Sequence, residues 1–372
     1  LINTFQLAAD ACTQIDQGRI LPIAVTPAAG AYRGLVQHVP VGALALISPF
    51  NFPLNLTAHK IAPAIAAGCP FVLKPASLTP ISALIIGEVL AETDLPKGAF
   101  SILPSSRDAA DQLVTDDRLK MLSFTGSDQV GWKMKARSGR KKVTLELGGN
   151  AAVMIEPDTE INDALIDRLI SAGYAHAGQV CISVQRLLVH KDIYSELKKA
   201  LVKKLNKIKA GDPNLDTTLV GPMIKHDEAL RLKKWIDQAV KKEAKVLVGN
   251  ELDGVLFHPT LLENVHPECD VYKNEAFGPV MILEKYKNFA DGLAKINASR
   301  FGLQAGIYTQ NLNHMLQAWD QLHVGGVIIN DVPTFRVDNM PYGGVKDSGL
   351  GREGIQSAIA DMQEQRLLVI KQ

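Results

Sequence analysis

The sequence predicts an α/β protein built on largely parallel sheets and divided into two linked domains. The first observation behind this is alternation. Short apolar runs suited to buried strands take turns with amphipathic segments along most of the chain, as βαβ units require. The second is length, since 372 residues exceed the roughly 100–200 residues of one ordinary domain. The third is a glycine pair, Gly148-Gly149, which separates two such α/β stretches.

In chain order, residues 1–17 show a helical rhythm of apolar and polar side chains. Residues 19–47 read as extended: ILPIAV, a turn at Ala29-Gly30, YRGLVQHVP, and the buried-strand run VGALALI. HKIAPAIAAG is a helix closed by Gly68, and PFVLKP a short strand. SALIIGEVLAETD and RDAADQLVTDD are helices; SILP and KMLSFT are strands. Beyond Asn150 come a helix over 160–177, the strand QRLLVH, a lysine-rich helix over 191–209 and a helix over 225–243. KVLVG, PVMILEKY and VGGVIIN read as strands, FADGLAKINAS as a helix, and the tail after Arg352 as a helix and a final strand, RLLVIKQ.

Composition excludes several classes. The formal net charge of +1 gives no overall field to recruit nucleic acid or an anionic membrane. Lys198, Lys199, Lys203, Lys204 and Lys207 alternate with apolar residues at helical spacing and read as a solvated helix face. No apolar run approaches the 18 or so residues of a membrane span, and the N-terminus has no signal-peptide pattern. Cys12, Cys69, Cys181 and Cys269 show neither CxxC spacing nor a disulfide framework, so a cytoplasmic setting and no metal are expected. The chain opens at leucine, which suggests a fragment, a processed chain or an incomplete gene model.

Five segments can carry chemistry. In HAGQVCISVQR a helix breaks at Gly178 and Cys181 follows before a strand, a place where a thiolate can be presented; a buried inert thiol is the other reading. In KKVTLELGGN, Glu146 ends a strand just before glycines that allow close backbone approach, and suits a general base or a plain strand-end carboxylate. In ISPFNFPLNL, Asn51 sits between Pro49 and Pro53 on a stiff turn, where its amide can donate to an oxyanion or cap a helix. Lys74, at the carboxyl end of FVLK, suits nucleotide hydroxyls or phosphate. In SFTGSDQVG, Gly126-Ser127 ends a strand and opens a helix whose N-terminus favours phosphate, although no GxGxxG fingerprint is present.

Taken together, PFNFPLNL, KPAS, FTGS, LELGGN, GQVC, EAFGPV and PYGGVKDSGLGRE occur in an order and at spacings that resemble the aldehyde dehydrogenase superfamily essentially from end to end. The resemblance implies the aldehyde dehydrogenase-like fold: a Rossmann-type cofactor domain (1–19 and 41–148), an α/β catalytic domain (149–346) and a small β oligomerisation element (20–40 and 355–372). It implies oxidation of a small-molecule aldehyde to a carboxylic acid with NAD or NADP, through a cysteine thiohemiacetal and a thioester that water hydrolyses, in a homo-oligomer, dimer or tetramer.

By position, Cys181 matches the nucleophile, Asn51 and the Cys181 N–H the oxyanion hole, Glu146 the base, and Lys60 a lysine of the catalytic neighbourhood. Lys74 matches the contact to the adenosine ribose, Ser127 beside Gly126 the pyrophosphate contact, and Glu275 the acid on the nicotinamide ribose, with Phe277 beside it. Ser77 stands where strongly NAD-selective members carry glutamate, so NADP is expected to be accepted. The presence of Glu146 favours the free acid over an acyl-CoA product. Leu54, Asn55, His59, Ile182 and Ser183 are expected near the substrate entry, a mixed lining suited to small or polar aldehydes. Arg336 is expected either to anchor a substrate carboxylate or phosphate or to pair with Asp338 or another acid. Typical members extend further before Leu1, so the cofactor domain is expected to be incomplete there.

Overall fold

The computed structural model describes residues 1–14 and 18–372, in two compact units. The first unit comprises 1–146, 336–343 and 350–372; the second comprises 147–335 and 344–349. The chain thus leaves the first unit just before the glycine pair and returns to it twice. Segment 336–343, grouped in the sequence with the catalytic domain, lies in the first unit.

The first unit holds a six-stranded sheet. Lys142–Glu146, Met121–Thr125, Leu44–Ile47, Phe71–Lys74 and Phe100–Ile102 lie side by side in that order, all parallel, with the two-residue strand Gly349–Leu350 at the edge. From Leu44–Ile47 the chain steps outward through two strands, then returns to the other side of its starting strand. That reversal is a topological switch point between the strands ending at Ile47 and Thr125, where open α/β sheets bind ligands.

Leu44, Leu46, Leu73 and Met121 fill the core, with Ile61 from helix Asn55–Ala66 and Ile355 and Ile359 from helix Ile355–Asp361. The helical rhythm at the N-terminus forms helix Ile2–Gln14, which buries Ala8 and Ala11 in the same core; the end of that rhythm, 15–17, lies outside the described residues. Helix Asn55–Ala66 starts four residues before the HKIAPAIAAG segment and is followed by Gly68 in the left-handed region, φ +74°, the conformation a helix end favours for glycine.

A separate antiparallel sheet joins Arg19–Leu21, Tyr32–Pro40 and Gln363–Lys371. The two long strands pair from Tyr32 with Lys371 to Pro40 with Gln363. Leu367, Leu368, Val369 and Ile370 are all exposed on it.

In the second unit seven strands run in the order Lys245–Val248, Thr260–Glu263, Val280–Tyr286, Val184–His190, Ala151–Ile155, Gln304–Tyr308 and Gly326–Ile329. Only the first pair is antiparallel. Helix Tyr194–Leu205 buries Leu197, Leu201 and Leu205 at four-residue spacing, so the lysines occupy its outer face as expected; Lys198 pairs with Glu263 and Lys204 with Asp167. Helix Asp163–Tyr174 is capped by Asn162, whose side chain accepts from the Leu165 N–H.

This helix ends three residues before the expected 177. His176 (φ 56°) and Ala177 (φ 54°) take left-handed backbone, which stops the helical ladder before Gly178. Such non-glycine positions cost on the order of 1–3 kcal/mol each and concentrate at functional sites. No helix among the described residues is long and apolar enough to cross a membrane.

Candidate active site

In the first unit the expected cofactor residues sit at the carboxyl ends of the strands around the switch point. Lys74 ends its strand, is buried, and donates to the Pro75 carbonyl (3.1 Å). Burial and then the nearby Arg107 pull its pKa below the usual lysine value. Ser77 is exposed on the following turn. Ser127 is extended and exposed, and its side chain does not cap the ten-residue helix Asp128–Arg137 that it precedes.

The backbone just before that helix leaves no room for a side chain: a Cβ on Gly126 would lie 2.5 Å from the Phe124 ring. A glycine turn into an N-terminus that its own serine does not cap is a cradle suited to a dinucleotide pyrophosphate. Asn51, 7 % exposed, lies beyond the strand ending at Ile47. It is not the N-cap of helix Asn55–Ala66, a place taken by Leu54, so the capping alternative does not apply.

A buried charge cluster lies below these strand ends. Lys60, 1 % exposed, donates to the Ser123 hydroxyl (2.9 Å) and to Glu353 Oε1 (3.1 Å). Arg336 donates to Glu353 Oε2 (3.2 Å) and lies over the Tyr342 ring. Of the two expectations for Arg336, an ion pair is present; its acid is Glu353, because Asp338 is taken by His59 (2.9 Å), Thr4 (2.8 Å) and Asn3 (3.2 Å).

Glu146 ends its strand 3 % exposed, and neither carboxylate oxygen has a hydrogen-bond partner among the described residues. Gly343 makes room for it, since a Cβ there would come within 2.7 Å of Oε1. Burial first, and then repulsion from Glu353, raise the Glu146 pKa well above the usual carboxylate value, while Arg336, Lys60 and Arg352 oppose the rise. Glu353 goes the other way: burial disfavours its charge, but Lys60 and Arg336 outweigh that and hold it ionised. Two carboxyls in one buried cluster therefore have opposite protonation preferences, the pattern that separates a base from a fixed counter-ion.

The second unit holds Cys181, Ile182, Ser183, Glu275 and Phe277. Cys181 is partly exposed, between the left-handed turn at His176–Gly178 and strand Val184–His190. Cys69 and Cys269 are buried, and Cys12 is exposed on the N-terminal helix. The glycine pair permits two close approaches. A Cβ on Gly149 would overlap the Cys181 carbonyl oxygen, and one on Gly148 would overlap the Glu275 carboxylate. Glu275 Oε1 accepts from the Gly149 N–H (2.9 Å). Phe277 follows with φ 44°, a second left-handed strain point.

Ile182 is 5 % exposed, and the Ser183 hydroxyl bonds the carbonyls of Ala172 and Gly173 (both 3.2 Å). Both are thus engaged by the unit's own packing. His59 is likewise 2 % exposed and held by Asp338, whereas Leu54 is exposed.

The sequence assigned no role to Glu353, and named Asp338 only as a partner for Arg336. Glu353 closes the PYGGVKDSGLGRE motif, so a signal was there; the pairing of Asp338 with His59 had none.

Comparison with known proteins agrees along the whole chain. The aldehyde dehydrogenase family model matches residues 1–368. A 3-sulfolactaldehyde dehydrogenase of Priestia aryabhattai is 40 % identical over 370 residues, covering 99 % of this chain and 77 % of its own. The crystal structure of aldehyde dehydrogenase 21 from Physcomitrella patens, in complex with the reaction product succinate, superposes with a TM-score of 0.97 at 47 % identity, over 100 % of this chain and 77 % of that one. The NADP complex of a glyceraldehyde-3-phosphate dehydrogenase from Methanocaldococcus jannaschii gives a TM-score of 0.92 at 35 % identity, over 100 % and 80 %. The chain belongs to the aldehyde dehydrogenase family and is an oxidoreductase that converts an aldehyde to a carboxylic acid with NAD or NADP.

Proposed function

We propose that the chain oxidises short aldehydes carrying an anionic group to their free acids, through a thioester on Cys181 that Glu146 hydrolyses. The Cys181 thiolate attacks the aldehyde carbon, and the Asn51 amide and the Cys181 N–H hold the resulting oxyanion. Bound NAD or NADP supplies the hydride acceptor. Lys74, Ser77, Ser127 beside Gly126, and Glu275 with Phe277 are the residues that bind and orient it. Glu146 then takes a proton from water, whose oxygen attacks the thioester carbon; the carboxylic acid leaves and the Cys181 sulfur is released as thiolate. Lys60 and Arg336 keep Glu353 charged, and burial first and then Glu353 keep the pKa of Glu146 high.

The observation that carries this reading is the Glu146 carboxylate, 3 % exposed and without a hydrogen-bond partner among the described residues. A carboxyl so placed is poised to change protonation during turnover and has no ion pair of its own to maintain.

The substrate class rests on the relatives. Their names carry a sulfonate, a carboxylate and a phosphate respectively, each an anion on a short aldehyde or its acid. We include cytoplasmic location and a homo-oligomer in the proposal, the latter supported by four consecutive exposed apolar residues, Leu367–Ile370, on the C-terminal strand. The domain roles follow the family pattern, with 20–40 and 355–372 as the oligomerisation element.

The test is NAD(P)H absorbance with paired aldehydes of equal length, one ending in a carboxylate and one in a methyl group. Wild type should prefer the carboxylate by roughly tenfold or more in kcat/KM, as expected when a buried polar site loses its partner. Cys181→Ser should abolish turnover, and Glu146→Gln should give a single burst. Steady turnover by Glu146→Gln, or an acyl-CoA product, would overturn the mechanism; equal rates for the paired aldehydes would overturn the substrate class.

A further inference from the structure

Gln185 lies four residues beyond Cys181, on strand Val184–His190, and is 5 % exposed. Both ends of its amide go to one short segment. Nε2 donates to the carbonyls of Val271 (2.9 Å) and Asn274 (2.8 Å), and Oε1 accepts from the N–H of Ala276 (2.9 Å). The residues it holds on either side, Asn274 and Ala276, bracket Glu275. Asn150 reinforces the clamp by donating to the carbonyls of Tyr272 (2.8 Å) and Asn274 (3.2 Å).

Left-handed Phe277 comes next, and a strained residue persists only where its surroundings over-determine it. A hydrophobic side chain of the same size would fill the space of Gln185. It would also leave the Val271 carbonyl and the Ala276 N–H without the bonds Gln185 makes, and the Asn274 carbonyl with Asn150 alone.

We propose that Gln185 is a positioning residue for the cofactor: it fixes the backbone on both sides of Glu275 and so sets where that carboxylate meets the ribose. The strand that carries the clamp is also the one that follows the nucleophile, so Cys181 and Glu275 share one reference frame. This rests on the proposed role of Glu275 as the ribose-binding acid.

A double-mutant cycle separates positioning from bulk stability. The dissociation constants of NAD and NADP are measured by calorimetry for wild type, Gln185→Leu, Glu275→Ala and the double variant. In parallel, acylation of Cys181 by an activated ester is followed with no cofactor present. Glu275→Ala and Gln185→Leu should each weaken cofactor binding by roughly tenfold or more, the scale of an ångström-sized misplacement. The double variant should bind no worse than Glu275→Ala alone, and ester acylation by Gln185→Leu should stay within twofold of wild type.

Unchanged cofactor binding by Gln185→Leu, or losses that multiply in the double variant, would overturn the inference. Unchanged binding by Glu275→Ala would instead remove the ribose assignment beneath it. If Gln185→Leu does not fold, Gln185→Asn, whose shorter side chain cannot reach all three partners, takes its place in the cycle.

Discussion

Replacing Gly149 with alanine asks how tightly the position of Cys181, the proposed nucleophile, is set. The new methyl would overlap the carbonyl oxygen of Cys181, and restoring ordinary contact needs a shift of about 1 Å or more. The obstructing atom is backbone, so no rotamer change relieves the overlap; either residue 149 or the Cys181 peptide must move. Overpacking of this kind costs about 1–3 kcal/mol of stability. A reacting group displaced by about 1 Å loses on the order of 100-fold in rate.

Gly148 provides the internal control. Its added methyl meets the end of the Glu275 side chain, which can swing aside. Gly148→Ala should therefore act on cofactor affinity and spare the thiol. The assay is stopped-flow NAD(P)H formation together with the rate of Cys181 alkylation by iodoacetamide, with Cys12→Ser as background because Cys12 is exposed. Gly149→Ala should slow both by roughly 100-fold while melting cooperatively. A folded Gly149→Ala within threefold of wild type in both would refute the claim that this approach holds the nucleophile in place.

Four further outcomes follow from the charge cluster and the cofactor turn. Thioester hydrolysis should rise with pH through a pKa well above the ordinary carboxylate value; Glu353→Gln, which removes the repelling charge and leaves Lys60 and Arg336, should move that limb down. A limb that stays put in the pH dependence of kcat counts against the pairing. Between the ordinary carboxyl pKa and the raised one, the folded chain keeps a proton that the unfolded chain releases, so rising pH favours unfolding there. Glu146→Gln should accordingly gain melting temperature over wild type as pH rises through that window, and a constant gap would contradict it. Lys60→Met strips one cation from a fully buried acid and should lower urea-unfolding stability by about 3 kcal/mol; a loss near zero would mean that Arg336 alone suffices. Ser77→Glu should weaken NADP relative to NAD by roughly tenfold or more through like-charge repulsion, and an unchanged ratio of dissociation constants would place the 2′-phosphate elsewhere.

Much of this was legible in the sequence because the signals are local. Buried parallel strands appear as short apolar runs, and Leu197, Leu201 and Leu205 announce which face of their helix turns inward. The motifs around Asn51, Glu146 and Cys181 each lie within a few residues of the turn or glycine that presents them.

What stayed hidden is non-local or carried by backbone conformation. Lys60 finds Glu353 across 293 positions, and no periodicity links them. Arg336 has an acid two residues away in the chain, yet it pairs with Glu353, seventeen away, because Asp338 is already held by the first helix and His59. The early end of helix Asp163–Tyr174 depends on left-handed His176 and Ala177, residue types that do not advertise that conformation. Gln185 reads as one polar residue in an apolar strand; only the fold brings it to Glu275.

The interrupted path of the first unit bears on how the molecule is made. Residues 147–335 form most of one compact body from continuous chain, while the other waits for 336–343 and 350–372. Translated in that order, residues 147–335 can begin to pack before the segments that complete the first unit exist. Ile355, Ile359 and the counter-ion of Lys60 lie in the second of those segments. Loss of 350–372, by a premature stop or a protease, would therefore leave the chain around Cys181 intact while removing Ile355, Ile359 and Glu353 from the first unit. Molecules damaged there would be expected to lose the first unit's packing, and with it the proposed cofactor residues and base, before the packing around Cys181.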